Sequence, residues 1–300
     1  MLMLDGNVRA ASLLGIVGAG GISAWRSPSD SSSSSTATSS QSSWSSWWSW
    51  SSSTAAPSTQ KESHMAVTDI DILPNLRDLG GLPLAEGGST RTGVLYRSAL
   101  PAPGDARPTA VEQWPARTVV DLRSARECAT REHPLQSKET TVHRISLLSD
   151  AEVAAPNQGA RLADIYLGIL TNAGERLVDV LQVAATAPGP VLLHCAAGKD
   201  RTGIAVALLL RTAGVAPDDI VADYMVTNQH MDAVLARLTR FAPELGQAHP
   251  NDRDLRGVVV EAIDGVLARW DNHPGGVHAW LRAHGATDDT IQGWNARFTE

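Results

Sequence analysis

A cysteine and an arginine with five residues between them, Cys195 and Arg201, form the pair in this chain best suited to chemistry. The residues between are Ala196, Ala197, Gly198, Lys199 and Asp200, and Thr202 and Gly203 follow. Small residues keep the rim of such a turn narrow, and Gly198 permits the dihedrals that a tight loop requires. Backbone N–H groups from Ala196 to Thr202 can then converge as an anion nest at a helix start. Arg201 would grip two oxygens of a phosphate through its planar fork. Cys195 lies on the floor of that nest. A thiol beside a cation at a helix N-terminus ionises readily, so the pattern predicts a thiolate in line to attack a bound phosphoryl group, with no metal required. His194 is expected to orient the loop, and Thr202 to hydrogen-bond the sulfur and assist its departure. Lys199 is expected as a second cation beside the nest, steering densely anionic substrates, with a solvated rim charge as the alternative.

The same chemistry needs an acid for the leaving oxygen, and two aspartates qualify. Asp200 lies in the loop itself, where Arg201 favours its ionised form and a bound phosphate dianion its protonated one. Asp121 follows the apolar pair Val119-Val120 at the expected carboxyl end of a strand, where ligands of open α/β sheets collect. A strand-end partner for Arg123 is the simpler role for Asp121. The segment Trp114-Pro115 is followed by Ala116, so it carries no acid.

These residues must be held by a strand, a turn and a helix. Pro190 to Leu193 is a short apolar run after the breaker pair Pro188-Gly189, which predicts a buried parallel strand. Ile204 to Leu210 continues in helix formers as far as Gly214, which predicts a buried helix ended by glycine. Strand-rich sequence up to Leu147 gives way to helical periodicity over Arg161 to Thr186, Ile220 to Phe241 and Val258 to Trp270. The fold expected is α/β, a central mainly parallel sheet flanked by helices, with a C-terminal helical section. Aromatics are sparse after the N-terminal tail, so the core is expected to rest on alanine, valine and leucine.

The run His194-Cys-x5-Arg201-Thr202-Gly203 resembles the signature of the cysteine-dependent protein tyrosine phosphatases. With Lys199-Asp200 ahead of the arginine it is similar to the bacterial, PtpB-like branch. Asn75-Leu76-Arg77-Asp78-Leu79-Gly80-Gly81, Gly93 to Ala99, Val119 to Ser124, Gly276 to Leu281 and Thr287-Asp288-Asp289 also resemble that branch, with Leu76 where phenylalanine is expected. The resemblance runs from about Asp69 to the C-terminus. It implies the cysteine phosphatase fold, a phosphocysteine intermediate, Asp200 ahead of Asp121 as the acid, and a helical lid, for which the segment from Met231 to Leu255 is the candidate. It also implies broad specificity, covering phosphotyrosine, phosphoserine/threonine and phosphoinositides. Arg77 and Asp78 would shape the site from the N-terminal side or form a structural ion pair.

Elsewhere the chain is less telling. Ser31 to Gln60 holds no charged residue and is mostly serine, with Trp44, Trp47, Trp48 and Trp50 interleaved. Such a tract cannot bury enough apolar surface to offset chain entropy. Residues 1–64 are therefore expected to be a disordered tail, native or added, ahead of a single phosphatase domain over 65–300. The stretch Ala10 to Ala24 falls short of the roughly 20 apolar residues that span a bilayer, and its positive n-region is weak. Two cysteines, Cys128 and Cys195, one needed as a thiolate, fit a reducing, cytoplasmic setting without disulfides, and Cys128 is expected as a buried inert thiol. A formal net charge of −7 argues against general nucleic-acid binding. The partner expected is thus a phosphorylated protein or phosphoinositide, and no cofactor is called for. Two other readings stay open: a phosphate-binding module without turnover, and another anion-loop thiol enzyme such as a sulfurtransferase or arsenate reductase, which Arg201-Thr202-Gly203 fits less well.

Overall fold

The fold is that of a computed structural model, in which residues 72–128, 132–150, 152, 161–242 and 259–300 are described. The chain runs through β1 (Arg77–Asp78), β2 (Leu95–Ser98), β3 (Thr118–Asp121), α1 (Ala125–Cys128) and β4 (Thr141–Arg144). It continues through α2 (Leu162–Asn172), α3 (Gly174–Thr186), β5 (Val191–His194), α4 (Asp200–Thr212) and α5 (Pro217–Val226). A 3-10 turn at Thr227–His230 then leads into α6 (Met231–Phe241), α7 (Val260–Asp271), α8 (Gly276–Ala283) and α9 (Asp288–Phe298).

The strands form one sheet in the order β1-β2-β5-β3-β4. Only β1 pairs antiparallel, against β2; the remaining pairs are parallel. Strands β2, β3 and β5 are buried along their whole length, whereas edge strand β4 is partly exposed. This is why Val191-Leu192-Leu193 reads as a continuous apolar run without alternation. Alternate residues face opposite ways: Leu95, Val120, Val191 and Leu193 join the larger core. Tyr96, Val119 and Leu192 pack beneath Leu73, Leu76, Val111 and Ala116.

Sequence periodicity locates the helices and misses their breaks. The run from Arg161 to Thr186 is two helices, α2 and α3, parted at Ala173. Helix α4 begins at Asp200, inside the candidate loop, and Gly214 beyond its end has a φ of +92°. Every residue from Arg201 to Leu210 is buried, so α4 is a central helix rather than a surface one. The core does not rest on aliphatics alone. Trp270, Trp294, Tyr96, Tyr166, Tyr224 and Phe298 are among its most completely buried side chains, and Trp294 donates its indole N–H to the carbonyl of Leu209. Most of the aromatics after the tail are spent in the core, where such side chains bury a large area each.

The described residues all lie in one compact unit, Gln60–Glu300. The expected boundary near Met65 falls outside the described residues. Among those described, no helix is long and apolar enough to cross a membrane.

Candidate active site

Parallel register puts Ser98 and Asp121 both opposite His194, at the carboxyl ends of three adjacent strands. Cys195 is the next residue, and five residues later α4 starts. The loop between them is thus stretched from a strand end to a helix N-terminus whose first amides have no partner within the helix.

The loop's shape is enforced from outside. Gly198 has a φ of +68°, and a Cβ there would lie 2.2 Å from the carbonyl oxygen of Ser98. Its own carbonyl accepts from Asn75 Nδ2 at 3.0 Å and from Arg97 Nη2 at 2.8 Å. Those two donors fix the orientation of the peptide that follows Gly198. Asn75 itself has a φ of 60° and is fully buried. Arg97 is held by Asp223, its Nη1 donating to Oδ2 at 2.6 Å, and Arg77 donates from Nε to the other oxygen of Asp223 at 2.6 Å and from Nη1 to Asn75 Oδ1 at 2.5 Å. Burial alone would push the Asp223 carboxyl up, yet the guanidinium groups of Arg97 and Arg77 hold it below the usual carboxylate range. Arg77 therefore shapes the loop through Asn75 and Asp223. Asp78 does not: its oxygens receive the backbone N–H groups of Gly80 and Gly93 and secure a turn.

Cys195 is 2% exposed and Arg201 9%, so both are buried. Arg201 is paired with Glu127 of α1, Nη1 to Oε2 at 2.5 Å and Nη2 to Oε1 at 2.8 Å. Burial works against the guanidinium charge, but Glu127 and the nearby Cys195 outweigh it and raise the Arg201 pKa above its ordinary value. Glu127 uses only one edge of the fork, and the Nε–H and a second Nη2–H remain for an anion.

Asp200 is half-exposed at the first position of α4, where its Oδ1 accepts from the Tyr166 hydroxyl at 2.8 Å and lies 3.5 Å from Lys199 Nζ. Tyr166 also meets the Tyr224 hydroxyl at 2.7 Å. Since the Tyr166 proton goes to Asp200, Tyr224 donates to Tyr166. Lys199 is 1% exposed, with its ammonium 3.5 Å from Asp200, so it is not the solvated rim charge of the alternative reading.

Asp121 is fully buried and bonded along both oxygens to Arg123, at 2.9 Å and 2.7 Å. Burial pushes its carboxyl up, but the Arg123 guanidinium bonded to both oxygens more than offsets this and holds it well below the usual range. His194 is buried too, its Nδ1 3.0 Å from the Cys195 carbonyl oxygen. The Thr202 hydroxyl is buried without a hydrogen-bond partner among the described residues, so the expected bond to the Cys195 sulfur is not formed here. Both cysteines are free thiols; Cys128 lies 3.5 Å from Asp121 Oδ2, and burial pushes its pKa up to about 11.

Helix α6 walls one side. Val234 and Leu238 pack on Ala99 and Leu100, with Ala196 and Ala197 of the loop against the same cluster. Arg237 donates to the Leu100 carbonyl at 2.7 Å and pairs with Asp105. Of the candidate lid, residues 243–255 lie outside the described residues.

A buried thiol and a buried guanidinium stand at the two ends of one loop, between a central strand of a mainly parallel sheet and a buried helix, an arrangement suited to handling phosphate. The chain belongs to the tyrosine phosphatase family, whose model matches residues 68–300, and its enzyme class is protein-tyrosine phosphatase. It is 34% identical to a Cupriavidus necator protein provisionally named a tyrosine-protein phosphatase, over 76% of this chain and 86% of that one. It is 29% identical to the Mycobacterium tuberculosis triple specificity protein phosphatase PtpB, over 76% of this chain and 97% of PtpB. It is 28% identical to a tyrosine-protein phosphatase of Nostoc commune, over 80% of this chain and 91% of the relative.

Proposed function

We propose that this enzyme hydrolyses phosphomonoesters through a phosphocysteine intermediate, with Cys195 as nucleophile, Arg201 and the Ala196 to Thr202 amides as the phosphate cradle, and Asp200 as general acid. The observation that carries this is the burial of the Cys195 thiol and the Arg201 guanidinium at the two ends of one strand-to-helix loop, with Glu127 holding one edge of the guanidinium. The Cys195 sulfur attacks phosphorus as the ester oxygen departs with a proton from Asp200. Water then attacks the phosphocysteine, its proton returning to Asp200, and phosphate leaves with the thiolate restored. Arg201 and the inward amides neutralise the equatorial oxygens, whose charge changes least in position and most in contact as the transition state forms.

Asp200 suits the acid role because it is solvent-connected, adjacent to the cradle and aimed by Tyr166. Asp121 is committed to Arg123 on both oxygens and is buried behind His194, which favours a scaffold role for it. The unsatisfied Thr202 hydroxyl stands ready to bond the sulfur as it becomes the leaving group. Residues 1–64 are proposed to take no part in catalysis.

The substrate range we propose is phosphotyrosine first, with phosphoserine/threonine and phosphoinositides as further classes; the triple specificity in the name of the Mycobacterium tuberculosis relative supports a broad range. To test this, the full chain would be incubated with phosphotyrosine peptide, phosphoserine peptide and a phosphoinositide panel, beside Cys195→Ser. Phosphate release from phosphotyrosine that vanishes in Cys195→Ser supports the proposal, and the ranking assigns the preferred ester. Phosphate bound but never released from any substrate would point to a binding module.

A further inference from the structure

The imidazole of His133 lies behind the active loop, 4% exposed, on a segment that the signature motif does not include. Its Nε2 is 2.9 Å from His194 Nε2, and its Nδ1 accepts the backbone N–H of Leu135 at 3.1 Å. Those contacts fix both tautomers. A ring nitrogen that accepts an amide proton carries none, so the neutral His133 ring holds its proton on Nε2 and donates it to His194. His194, accepting at Nε2, must then hold its proton on Nδ1, where the Cys195 carbonyl receives it at 3.0 Å. The bonds thus run in one direction, from the Leu135 amide through two imidazoles to the backbone of the nucleophile. Burial agrees with the assignment, pulling His133 down to about 3 and His194 below its ordinary value, so that both rings stay neutral.

The same atoms have the spacing of a metal site, since one ligand atom each of Asp121, His133 and His194 lies within 4.8 Å of the others. The chemistry does not fit. Ligation through His133 Nε2 requires the proton to sit on Nδ1, against the incoming Leu135 N–H, and Asp121 already answers Arg123 on both oxygens. A proton shared between two neutral rings satisfies every group; a cation satisfies fewer.

We propose that His133 is a positioning residue for catalysis: it locks His194 in the Nδ1-protonated tautomer and so holds the Cys195 carbonyl away from the sulfur. Loss of its donor would free His194 to rotate or change tautomer, and the carbonyl of Cys195 would lose its only side-chain anchor in the described residues.

Two substitutions separate donor from bulk. His133→Gln keeps an N–H near the Nε2 position, whereas His133→Leu keeps volume and removes it. With phosphotyrosine peptide and full-length protein, His133→Leu is expected to lower kcat about tenfold, the equivalent of one ordinary hydrogen bond, and His133→Gln to restore it to within about threefold of wild type. Long-range proton–nitrogen correlation spectra of the imidazoles give the independent arm: wild-type His194 should show a single tautomer protonated at Nδ1, kept in His133→Gln and lost in His133→Leu. Wild-type kcat in His133→Leu, equal loss in both variants, or a wild-type His194 protonated at Nε2 would each overturn the proposal. So would stoichiometric zinc binding that shifts both imidazoles. The kinetic arm rests on Cys195 as the nucleophile and the spectral arm does not, and the spectral arm in wild type and His133→Gln decides even if His133→Leu fails to fold.

Discussion

Gly198 shows how little freedom the active loop has. Its positive φ already disfavours a side chain by about 1–2 kcal/mol, and a Cβ there would strike the carbonyl of Ser98 at 2.2 Å. Gly198→Ala should therefore cost at least tenfold in kcat/KM while leaving the far-ultraviolet circular dichroism unchanged, because the strain falls on the loop alone. Glu127 is the second sensitive residue. Removing it by Glu127→Ala leaves the Arg201 guanidinium buried without its partner, a kind of loss that costs about 3–5 kcal/mol. A lower melting temperature and a KM raised about tenfold are expected, and bound inorganic phosphate should recover more stability in the variant than in wild type. Cys195, Arg201 and the turn between them were legible in sequence because their spacing is local. Glu127 was not, since it meets Arg201 across 74 positions. The burial of Lys199 was not legible for a related reason: only tertiary packing buries a lysine that stands between glycine and aspartate.

At the scale of elements, the strand, loop and helix that carry the chemistry follow from an apolar run, a breaker pair and a terminal glycine. The supports come from elsewhere: Asn75 lies 123 positions from Gly198, and Arg97 is 126 positions from Asp223. No local pattern announces such pairings, although Asn75-Leu76-Arg77-Asp78 was visible as a motif and Asp223-Tyr224 as part of the helical run from Ile220 to Phe241. Helix α6 depends on one such long-range tie. Arg237 binds the Leu100 carbonyl and Asp105, and Leu100 in turn donates to the Ala196 carbonyl at 3.0 Å. Arg237→Ala is expected to destabilise the fold by about 3–5 kcal/mol and to weaken substrate binding more than turnover, measured by urea unfolding and steady-state kinetics. An unchanged KM would detach α6 from the site.

Across the whole molecule, buried ionisable groups set the response to acid. His133 is neutral when folded, its pKa lowered by burial from 6.5 to about 3. Between those values the unfolded chain binds the extra proton, so stability rises with pH and falls as pH drops, by up to about 1.4 kcal/mol per pH unit for each such histidine. Asp223 and Glu127, held below the usual carboxylate range despite burial, add loss in the same direction at the acid end. Urea midpoints should thus fall steadily from about pH 7 to about pH 4.5, and His133→Gln should flatten the curve between them. A flat wild-type curve would mean that the histidines titrate normally when folded. The aromatic core was the least legible feature at this scale, because composition counts tryptophans without saying that Trp270 and Trp294 lie at its centre.

The central claim is that Cys195 forms a covalent bond to phosphorus, and rapid acid quench of a single turnover tests it most directly. Wild-type protein mixed with phosphotyrosine peptide, quenched within the first turnover and mapped by mass spectrometry, should carry a phosphoryl group on Cys195. The adduct should be absent in Cys195→Ser, which still binds the peptide. Phosphate release by Cys195→Ser at the wild-type rate, or an adduct on any other residue, would contradict the account.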